Sequence, residues 1–509
     1  MALGVAGGIT AATAAMPGVE RDSLGVAVPG ASTVTRVEVW SDHIIRVTHR
    51  PDSAAPMQSL AVIGRPEAVS WQLTETAGTL ALATAALRVE VDRASGRVAV
   101  HDRAGQLVLE EASGGTGLTP TTVAGNPTWR CRQAFTLAAD EGIYGLGQHP
   151  DGFLDHRGTV VHLQQENRVV AIPMLVSSRG YGVLWDNPAV TDVDVGQGEA
   201  GVVSWTSEAG EGVDYFLVFG PELDAVVGGY RRLTGDAPMF PLWAWGFWQC
   251  RERYETQAEI LGVVAEYRRR GIPLDGVIQD WQYWRPGAWG SHLFDPARYP
   301  DPTAMVQAVH EAHAHIIISI WPRFDPGLEH TAELDRAHAL YAPVYPNVYP
   351  KGEGRWYDPF SAGGRKLYWQ FLAERLFARG FDGWWMDASE PELGGKWGEM
   401  REVTTGAGPG ANVFNAYPLL HAAGVYQGQR AATPAKRVFI LTRSAYAGSQ
   451  RNAAVTWSGD TNGTWDVFRR QIPAGLDFSI AGVPYWNTDI GGFFAGDPAD
   501  PAYAELFTR

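Results

Sequence analysis

The first half of the chain is patterned in short runs that alternate apolar and polar residues. Stretches such as TRVEVWSDHIIRVTHR, ALRVEVDR and GRVAVHDRAGQLVLEE have a period of two, and Gly, Asp and Ser residues separate them. This period puts every second side chain on one face of a β-strand. SGR, RAGQ and SRGYG favour hairpin turns between neighbouring strands. Residues 21–238 are therefore predicted to form an N-terminal all-β sandwich domain.

After Pro241 apolar strands begin to alternate with amphipathic helices. TQAEILGVVAEYRRRG predicts one such helix, in which Thr256 and Glu259 form a capping box and Gly271 ends the helix. Seven strand-like segments occur in this half of the chain, each apolar in its body and polar or aromatic at its C-terminal end. They are PLWAWGFWQ, LDGVIQDWQYW, HIIISIW, FDGWWMDASE, RVFILTRS, AAVTWSGD and GVPYWNTDI.

This alternation predicts a catalytic (β/α)₈ TIM barrel over residues 239–509. A doubly wound open sheet also alternates strands with helices, but it usually has a glycine-rich phosphate loop after its first strand, and WQCRERY lacks that pattern. The chain stops at AYAELFTR, just past the seventh strand, so we expect the eighth strand to be missing and the barrel to be truncated at its C-terminal end. Such an isolated chain is expected to fold poorly or to be inactive.

Composition narrows the class of partner. The chain has 509 residues, 45% of them apolar, and a formal net charge of −15. An acidic chain is a poor partner for nucleic acid and for anionic membranes, because both attract basic patches. Its apolar runs fall short of the roughly 20 residues that a membrane-spanning helix needs. Cys131 and Cys250 are too few for a disulfide framework and lack metal-site spacing.

Residues 1–20 contain a small, apolar stretch, MALGVAGGITAATAAMPG, that ends in an A-x-A-like sequence. A secretory signal normally begins with a basic region, which this stretch lacks. A remnant of an export signal and a disordered terminus both stay open. The first interpretation favours a periplasmic or secreted location over a cytoplasmic one.

Acidic residues follow four of the predicted barrel strands. They are Asp280, Asp387, Glu390, Asp460 and Asp489. Barrels of this kind carry their chemistry at the C-terminal strand ends, where the βα loops gather. A lone carboxylate there would most simply be a structural partner for an arginine. Several converging carboxylates repel one another and lose hydration, so their presence favours a catalytic role.

These carboxylates predict neither a cofactor nor a metal, because no phosphate-binding loop accompanies them as it would at a Mg²⁺ site. HEAHAH at 310–315 looks like a histidine cluster, but it closes a helix and enters a strand, so surface and helix-end chemistry is favoured over metal binding. Many of the 20 Trp, 18 Tyr and 19 Phe stand beside hydrogen-bonding side chains, an arrangement that suits sugars. Paired carboxylates on such a rim favour glycoside hydrolysis.

Four long motifs in strand order resemble glycoside hydrolase family 31, which contains α-glucosidases and α-xylosidases. They are GFDGWWMDASEPE, ILTRSAYAGSQR, TWSGDTNGTWD and PYWNTDIGGF. The resemblance covers nearly the whole chain and implies a retaining enzyme with Asp387 as nucleophile and Asp460 as acid/base. It implies further sugar-binding or supporting residues: Asp280, Trp321, Trp385, Arg443, Trp457 and Asp489. QQENRVVAIP resembles a loop that reaches the site, which adds Glu166.

In the implied mechanism Asp460 protonates the leaving oxygen while Asp387 attacks the anomeric carbon, and water then hydrolyses the covalent intermediate with retention. The two carboxyl groups are expected about 5–5.5 Å apart. Glu390 lies only three residues past Asp387 and is expected to orient or support, since the motif match puts the acid on another strand.

WGFWQCRERY, IPLDGVIQDWQYW and NAYPLLHAAGVYQGQR resemble bacterial xyloglucan-type α-xylosidases more than starch-type α-glucosidases. Trp281 stands where the family places a bulky residue in the space of the glucose C6 hydroxymethyl group. We therefore expect release of α-linked xylose from the non-reducing end of an oligosaccharide. A wall of the +1 subsite and a barrel-layer residue are the other interpretations of Trp281.

Other functions stay open at this point. An α-glucosidase or an α-transglycosylase would share the motifs, and an inactive truncated carbohydrate-binding homologue would keep the tryptophans. An α-galactosidase-like barrel is more distant, because TWSGD and LTRS occur together. The module that xyloglucan-type relatives often insert in the N-terminal region is missing from SWTSEAGEGVDYFLVFG, which puts long substrates in doubt. Oligomeric state is left open.

Overall fold

The computed structural model describes residues 18–30, 32–52, 54, 56–347, 349–395 and 397–509. Residues 1–17, which make up most of the stretch interpreted as an export-signal remnant or a disordered terminus, lie outside the described residues. Throughout the described ranges, each helix is too short or too polar to cross a lipid bilayer.

Strands fill the first half of the described chain. They are β1 Glu20–Arg21, β2 Gly25–Pro29, β3 Thr33–Val39, β4 Ile44–Pro51, β5 Gln72–Glu75, β6 Thr79–Ala83, β7 Leu87–Asp92, β8 Val98–Asp102, β9 Leu107–Glu110, β10 Gly117–Val123, β11 Asn126–Thr136, β12 Ile143–Gln148, β13 Val160–Leu163, β14 Val170–Ser177, β15 Tyr181–Trp185, β16 Thr191–Val195, β17 Val202–Ser207 and β18 Val213–Phe219. Helix α1, Leu223–Thr234, follows them. In β7 the alternation is clear, because Leu87 and Val89 are buried and Arg88 is exposed.

Within the described residues these strands form three antiparallel sheets. Their orders are β1-β2-β3-β4-β18-β15-β14-β12, β10-β11-β17-β16-β13 and β5-β6-β7-β8-β9. One buried apolar cluster includes members of all three sheets, for example Val37, Val89 and Phe135. The prediction of an all-β N-terminal region is confirmed. The region has a third sheet, which a simple two-sheet sandwich lacks. The sequence does not predict this sheet, because its strands have the same period of two as the strands of the other sheets.

The second half alternates strands and helices. Its elements are β19 Trp248–Gln249, α2 Gln257–Arg270, β20 Gly276–Gln279, α3 Pro302–Glu311, β21 His315–Ser319, β22 Arg323–Phe324, α4 Glu329–Arg336, β23 Tyr345–Asn347, β24 Gly352–Trp356, α5 Ala362–Arg375, β25 Gly383–Met386, β26 Thr404–Thr405, β27 Gly408–Pro409, α6 Gly410–Val413, α7 Tyr417–Ala432, β28 Ile440–Thr442, β29 Ala454–Trp457, α8 Trp465–Ile480, β30 Trp486–Asn487 and α9 Pro501–Thr508.

Seven strands of the described chain form one parallel sheet in sequence order, β19-β20-β21-β25-β28-β29-β30. Every pair in it is parallel. The bodies of its central strands are largely apolar because both faces are covered, and Ile316, Ile317 and Ile318 of β21 are fully buried. Gly383 of β25 leaves no room for a side chain, since a Cβ there would lie 2.8 Å from the Phe439 carbonyl oxygen. Because all neighbouring strands are parallel, the carboxyl ends of the seven strands lie at the same edge of the sheet.

Helix α2 begins and ends where the sequence predicts. The Thr256 side chain accepts a hydrogen bond from the Glu259 N–H, and Gly271 closes the helix with a φ of 67°. The Glu259 carboxylate accepts from the Glu255 N–H, one residue earlier than in the usual capping box.

The all-β region packs directly against the parallel sheet region. Gln165, between β13 and β14, is buried, and its Nε2 donates to the carbonyl oxygens of Asn415 and Ala445. The Asp477 carboxylate of α8 accepts from the Gly145 N–H of β12. These buried polar contacts fix the segment after Gln165 beside the carboxyl ends of the parallel strands.

Candidate active site

One guanidinium organises the carboxylates at the carboxyl ends of the parallel strands. Arg443 comes directly after β28, and its side chain is only 3% exposed. Its Nη1 lies 3.1 Å from Oδ1 of Asp387 and 3.2 Å from Oδ2 of Asp460. Because one nitrogen contacts both oxygens, these oxygens can be no more than about 6 Å apart, a separation within reach of a paired-carboxylate mechanism.

Two glutamates hold the other side of the guanidinium. Both oxygens of the buried Glu390 face Arg443, with Oε1 2.6 Å from Nε and Oε2 3.2 Å from Nη2. Glu392 brings its Oε2 to 2.6 Å from Nη2. Glu390 is therefore buried against Arg443 and does not face solvent. Glu392 is absent from the sequence prediction, although it is the second acid of the EPE sequence.

The backbone turns sharply after Asp387. Ala388 has a φ of 50°, in the left-handed region that alanine rarely adopts, and its N–H donates to Oδ1 of Asp387 over 2.8 Å. Burial raises the pKa of Asp387 to about 7, the Arg443 guanidinium opposes that rise, and the charge of Asp460 adds to it. The side chain is still 16% exposed, so it remains reachable from solvent.

Asp280 and Asp489 belong to the same group of carboxylates. Burial and then the charge of Asp387 raise the pKa of Asp280. Burial and then the charge of Asp460 raise the pKa of Asp489 to about 7. Burial and then the charge of Asp280 also raise the pKa of the Cys250 thiol, which comes just after β19. The predicted convergence of strand-end carboxylates is thus present in the structure.

A loop of the all-β region reaches Asp460. Asn167 Nδ2 donates to Oδ2 of Asp460 over 2.6 Å, and its Oδ1 accepts from the Asp460 N–H over 2.9 Å. Asn167 is not among the residues that the sequence singled out, although its neighbour Glu166 is. Glu166 accepts from Gln164 and lines a cavity of about 480 Å³ together with Asn167 and Trp486.

Two groups of tryptophans flank the carboxylates. Trp281 and Trp321 lie in one group, with ring centres 5.9 Å apart, and Trp289 contacts both. Trp385 and Trp457 form the other group, with ring centres 4.5 Å apart. The indole N–H groups of Trp321 and Trp385 are buried and have no hydrogen-bond partner among the described residues.

Trp281 is held from several sides. Its backbone N–H donates to Oδ1 of Asp280 over 2.6 Å, which fixes the carboxylate beside the Trp281 backbone. The Arg253 guanidinium lies 5.7 Å from its ring centre, and the Tyr349 ring lies edge-on at 6.0 Å. Arg253 and Tyr349 are further neighbours of the site that the sequence prediction missed.

Two family models match the chain. One describes the glycosyl hydrolases family 31 TIM-barrel domain and matches residues 237–509. The other describes the glycosyl hydrolase 31 N-terminal galactose mutarotase-like domain and matches residues 34–194.

Individual relatives carry the likeness over most of the chain. An alpha-xylosidase of Saccharolobus solfataricus is 38% identical over 487 residues, covering 93% of this chain and 64% of that protein. The GH31 alpha-xylosidase structure from Xanthomonas citri superposes with a TM-score of 0.91 at 32% identity, covering 96% of this chain and 72% of that one. A GH31 alpha-xylosidase from a soil metagenome, complexed with xylose, gives a TM-score of 0.90 at 30% identity and covers 96% and 74%. The chain thus spans less than two thirds of the Saccharolobus protein.

Proposed function

The chain belongs to glycosyl hydrolases family 31, and on that premise we propose that it is a retaining α-glycosidase releasing α-linked xylose from the non-reducing end of xyloglucan-type oligosaccharides. The main support for this proposal is that a single nitrogen of Arg443 contacts both Asp387 and Asp460. It limits the separation of the contacting oxygens to about 6 Å. That limit supports retention, because inverting pairs stand roughly 6.5–9.5 Å apart.

In the proposed reaction Asp387 is the nucleophile. Its carboxylate attacks the anomeric carbon, the glycosidic bond breaks, and the leaving oxygen takes a proton from Asp460. Asp460 then removes a proton from water, which displaces Asp387 and restores the α configuration. Arg443 keeps both carboxylates in place, and Asn167 donates to the same Asp460 oxygen that Arg443 contacts.

The charge of the site supports this chemistry. Arg443 contacts four carboxylates, those of Asp387, Glu390, Glu392 and Asp460. The acidic groups therefore outnumber the cation in a mostly buried space. Positive charge develops on the sugar ring in the transition state, and fixed negative charge stabilises it most where water is excluded.

The sugar subsite follows from the same arrangement. We assign sugar hydroxyl contacts to Asp280 and to the unpartnered indole N–H groups of Trp321 and Trp385. Trp457 packs against Trp385 with ring centres 4.5 Å apart, and Asp489 is assigned a supporting role beside Asp460. Because a polyhydroxylated ligand offers many acceptors, buried donors without protein partners favour it over an apolar one.

The architecture is also part of the proposal. We infer that the seven parallel strands β19, β20, β21, β25, β28, β29 and β30 belong to a (β/α)₈ TIM barrel and that the chain divides into a β-domain at 21–238 and a catalytic domain at 239–509. The TIM-barrel family match, which begins at residue 237, supports this boundary.

A test of the double displacement removes the nucleophile. Asp387→Gly should lower kcat on an aryl α-xyloside by at least about 10³-fold, because no covalent intermediate can form. Added azide should restore turnover and give the β-configured xylosyl azide. The exposed Asp236→Gly is the matched control. A first-formed β-xylose from the unaltered protein, seen by NMR, would contradict retention.

The choice of sugar depends on Trp281. The unaltered protein is expected to hydrolyse 4-nitrophenyl α-xyloside in clear preference to the α-glucoside. Trp281→Ala should raise the glucoside-to-xyloside ratio of kcat/KM at least about tenfold, since it opens space for one hydroxymethyl group. A preference of the unaltered protein for the glucoside would indicate an α-glucosidase. Sugar binding without turnover would indicate a carbohydrate-binding protein.

A further inference from the structure

Two histidines and an aspartate meet at the end of the parallel sheet opposite Asp387. His310 lies in the last turn of α3, His315 begins β21, and Asp382 directly precedes β25. Nitrogen donors of both histidines and a carboxylate oxygen of Asp382 all lie within 4.8 Å of one another. Asp382 and Asp387 flank the four-residue strand β25 and are five positions apart, a distance of about 16 Å along an extended chain. The cluster is therefore separate from the proposed active site.

We propose that His310, His315 and Asp382 form a divalent transition-metal site, with Zn²⁺ as the ion that fits the donors best. Two imidazoles and one carboxylate are a common protein donor set for zinc. His310 Nε2 lies 2.8 Å and His315 Nδ1 3.3 Å from Oδ2 of Asp382. Zinc bonds of about 2.0–2.2 Å in a tetrahedron put donors roughly 3.3 Å apart, so only small side-chain shifts are needed.

The surroundings already orient these donors. The Ile316 N–H donates to Oδ2 of the buried Asp382 over 3.0 Å, which fixes the carboxylate. The Trp243 ring stacks on His315 with ring centres 4.5 Å apart and planes inclined by 19°. His315 Nδ1 is buried and, despite its nearness to Asp382, is not aligned for a hydrogen bond with it. Such outer contacts are what hold metal-binding side chains in place.

Solvent can complete the coordination. The side chains of His310 and His315 are 38% and 34% exposed, so water can fill the remaining position. A bound ion would tie α3 to the starts of β21 and β25. Because the ligands come from three elements that come together only in the folded chain, metal binding would stabilise the fold.

Lys436 is the main opposing charge. Its Nζ lies 3.4 Å from Oδ1 of Asp382, on the oxygen that the proposed ion leaves free. The ammonium repels a divalent cation and weakens the site. Removing that charge while keeping the length of the side chain, as in Lys436→Met, should therefore tighten zinc binding several-fold.

The test is zinc binding to the full chain after treatment with EDTA, measured by titration calorimetry and by the thermal unfolding temperature at pH 7.5. We expect one Zn²⁺ per chain and a higher unfolding temperature with zinc. His310→Gln and His315→Gln should each weaken binding at least about tenfold. His313→Gln is the matched control, because His313 lies in the same HEAHAH run, is exposed and stands outside the cluster.

Two results would overturn the proposal. One is the absence of stoichiometric zinc binding by the unaltered chain at pH 7.5. The other is binding of unchanged affinity in both His310→Gln and His315→Gln. Lys436→Met distinguishes a metal site from a metal-free cluster in which His310 simply makes a hydrogen bond to Asp382. Tighter zinc binding in this variant supports the site, and zinc binding that is unchanged or weaker counts against it.

Discussion

At the scale of single residues, Arg443 determines how the carboxylates act together. Its sequence motif identifies it as a contact of the nucleophile, but its four carboxylate partners lie 17 to 56 residues away along the chain. Only the fold shows that one nitrogen reaches both Asp387 and Asp460. The consequence is a measurable link between the charge of Arg443 and the protonation of Asp387.

Activity should fall as the pH drops through about 7, because Asp387 must be ionised to attack and burial raises its pKa to about 7. Arg443 opposes that rise, so Arg443→Gln should raise the pKa of Asp387 further. The acidic limb of the kcat/KM profile should then move to higher pH by about one pH unit or more. Arg443→Lys, which keeps the charge, is the control. An acidic limb that stays in place in Arg443→Gln, with far-UV circular dichroism unchanged, would contradict the assignment.

Asn167 should matter most where the leaving group needs a proton. Asn167→Ala removes two hydrogen bonds to Asp460 and should lower kcat/KM about tenfold or more on substrates with poor leaving groups. Activated aryl xylosides need little protonation and should be less affected. Comparing both substrate types with the partly exposed Asn126→Ala as control measures this. An equal loss on both would show a general structural defect instead.

The sequence could name Asp387, Asp460 and Arg443 because each lies in a long motif. It could not name Asn167, whose partner is 293 residues away, because no local pattern links the two. Glu392 was missed for a different reason. It stands among other acids in EPE, and nothing in the sequence separates a residue that contacts Arg443 from a solvated one.

At the scale of elements, the sequence predicted local features such as helix ends correctly. The hydroxyl of Thr256 caps α2 by accepting from the Glu259 N–H. Thr256→Ala should therefore lower the free energy of unfolding by about 1 kcal/mol. Urea denaturation measures this, and Thr119→Ala on the exposed part of β10 serves as control. A change equal to that of the control would show that the cap adds nothing.

Short elements escaped prediction. The sheets β22-β24-β23 and β26-β27 have strands of two to five residues, which is too few to display a period. They interrupt the βα alternation between β21 and β28. The parallel strands themselves were predicted in order, because burial on both faces leaves continuous apolar runs that end in polar residues.

At the scale of the whole molecule, the β-region and the parallel sheet region depend on each other. Gln165 is buried and exchanges hydrogen bonds with Asn415, Ser444 and Ala445 across the boundary. Gln165→Ala leaves several buried polar groups without partners, each costing about 1–3 kcal/mol. The unfolding temperature should fall clearly, whereas the exposed Gln197→Ala should leave it unchanged. A small effect in the first variant would indicate that the boundary is only loosely coupled.

The division into an all-β part and a βα part was predictable because the apolar period changes near Pro241. Contacts across the division were not, since they join residues some 250 positions apart, as Gln165 and Asn415 do. Hydrophobic periodicity describes which face of an element is buried, but it does not say which other element covers that face.

The order of synthesis also bears on the contact between Asn167 and Asp460. A ribosome delivers the chain from its N-terminus, so the loop that holds Asn167 is made 293 residues before the aspartate it will clamp. The N-terminal region can fold first, and the end of the later strand then packs against it. In the proposed reaction, the acid/base carboxylate of Asp460 is therefore synthesised only after the loop that holds it.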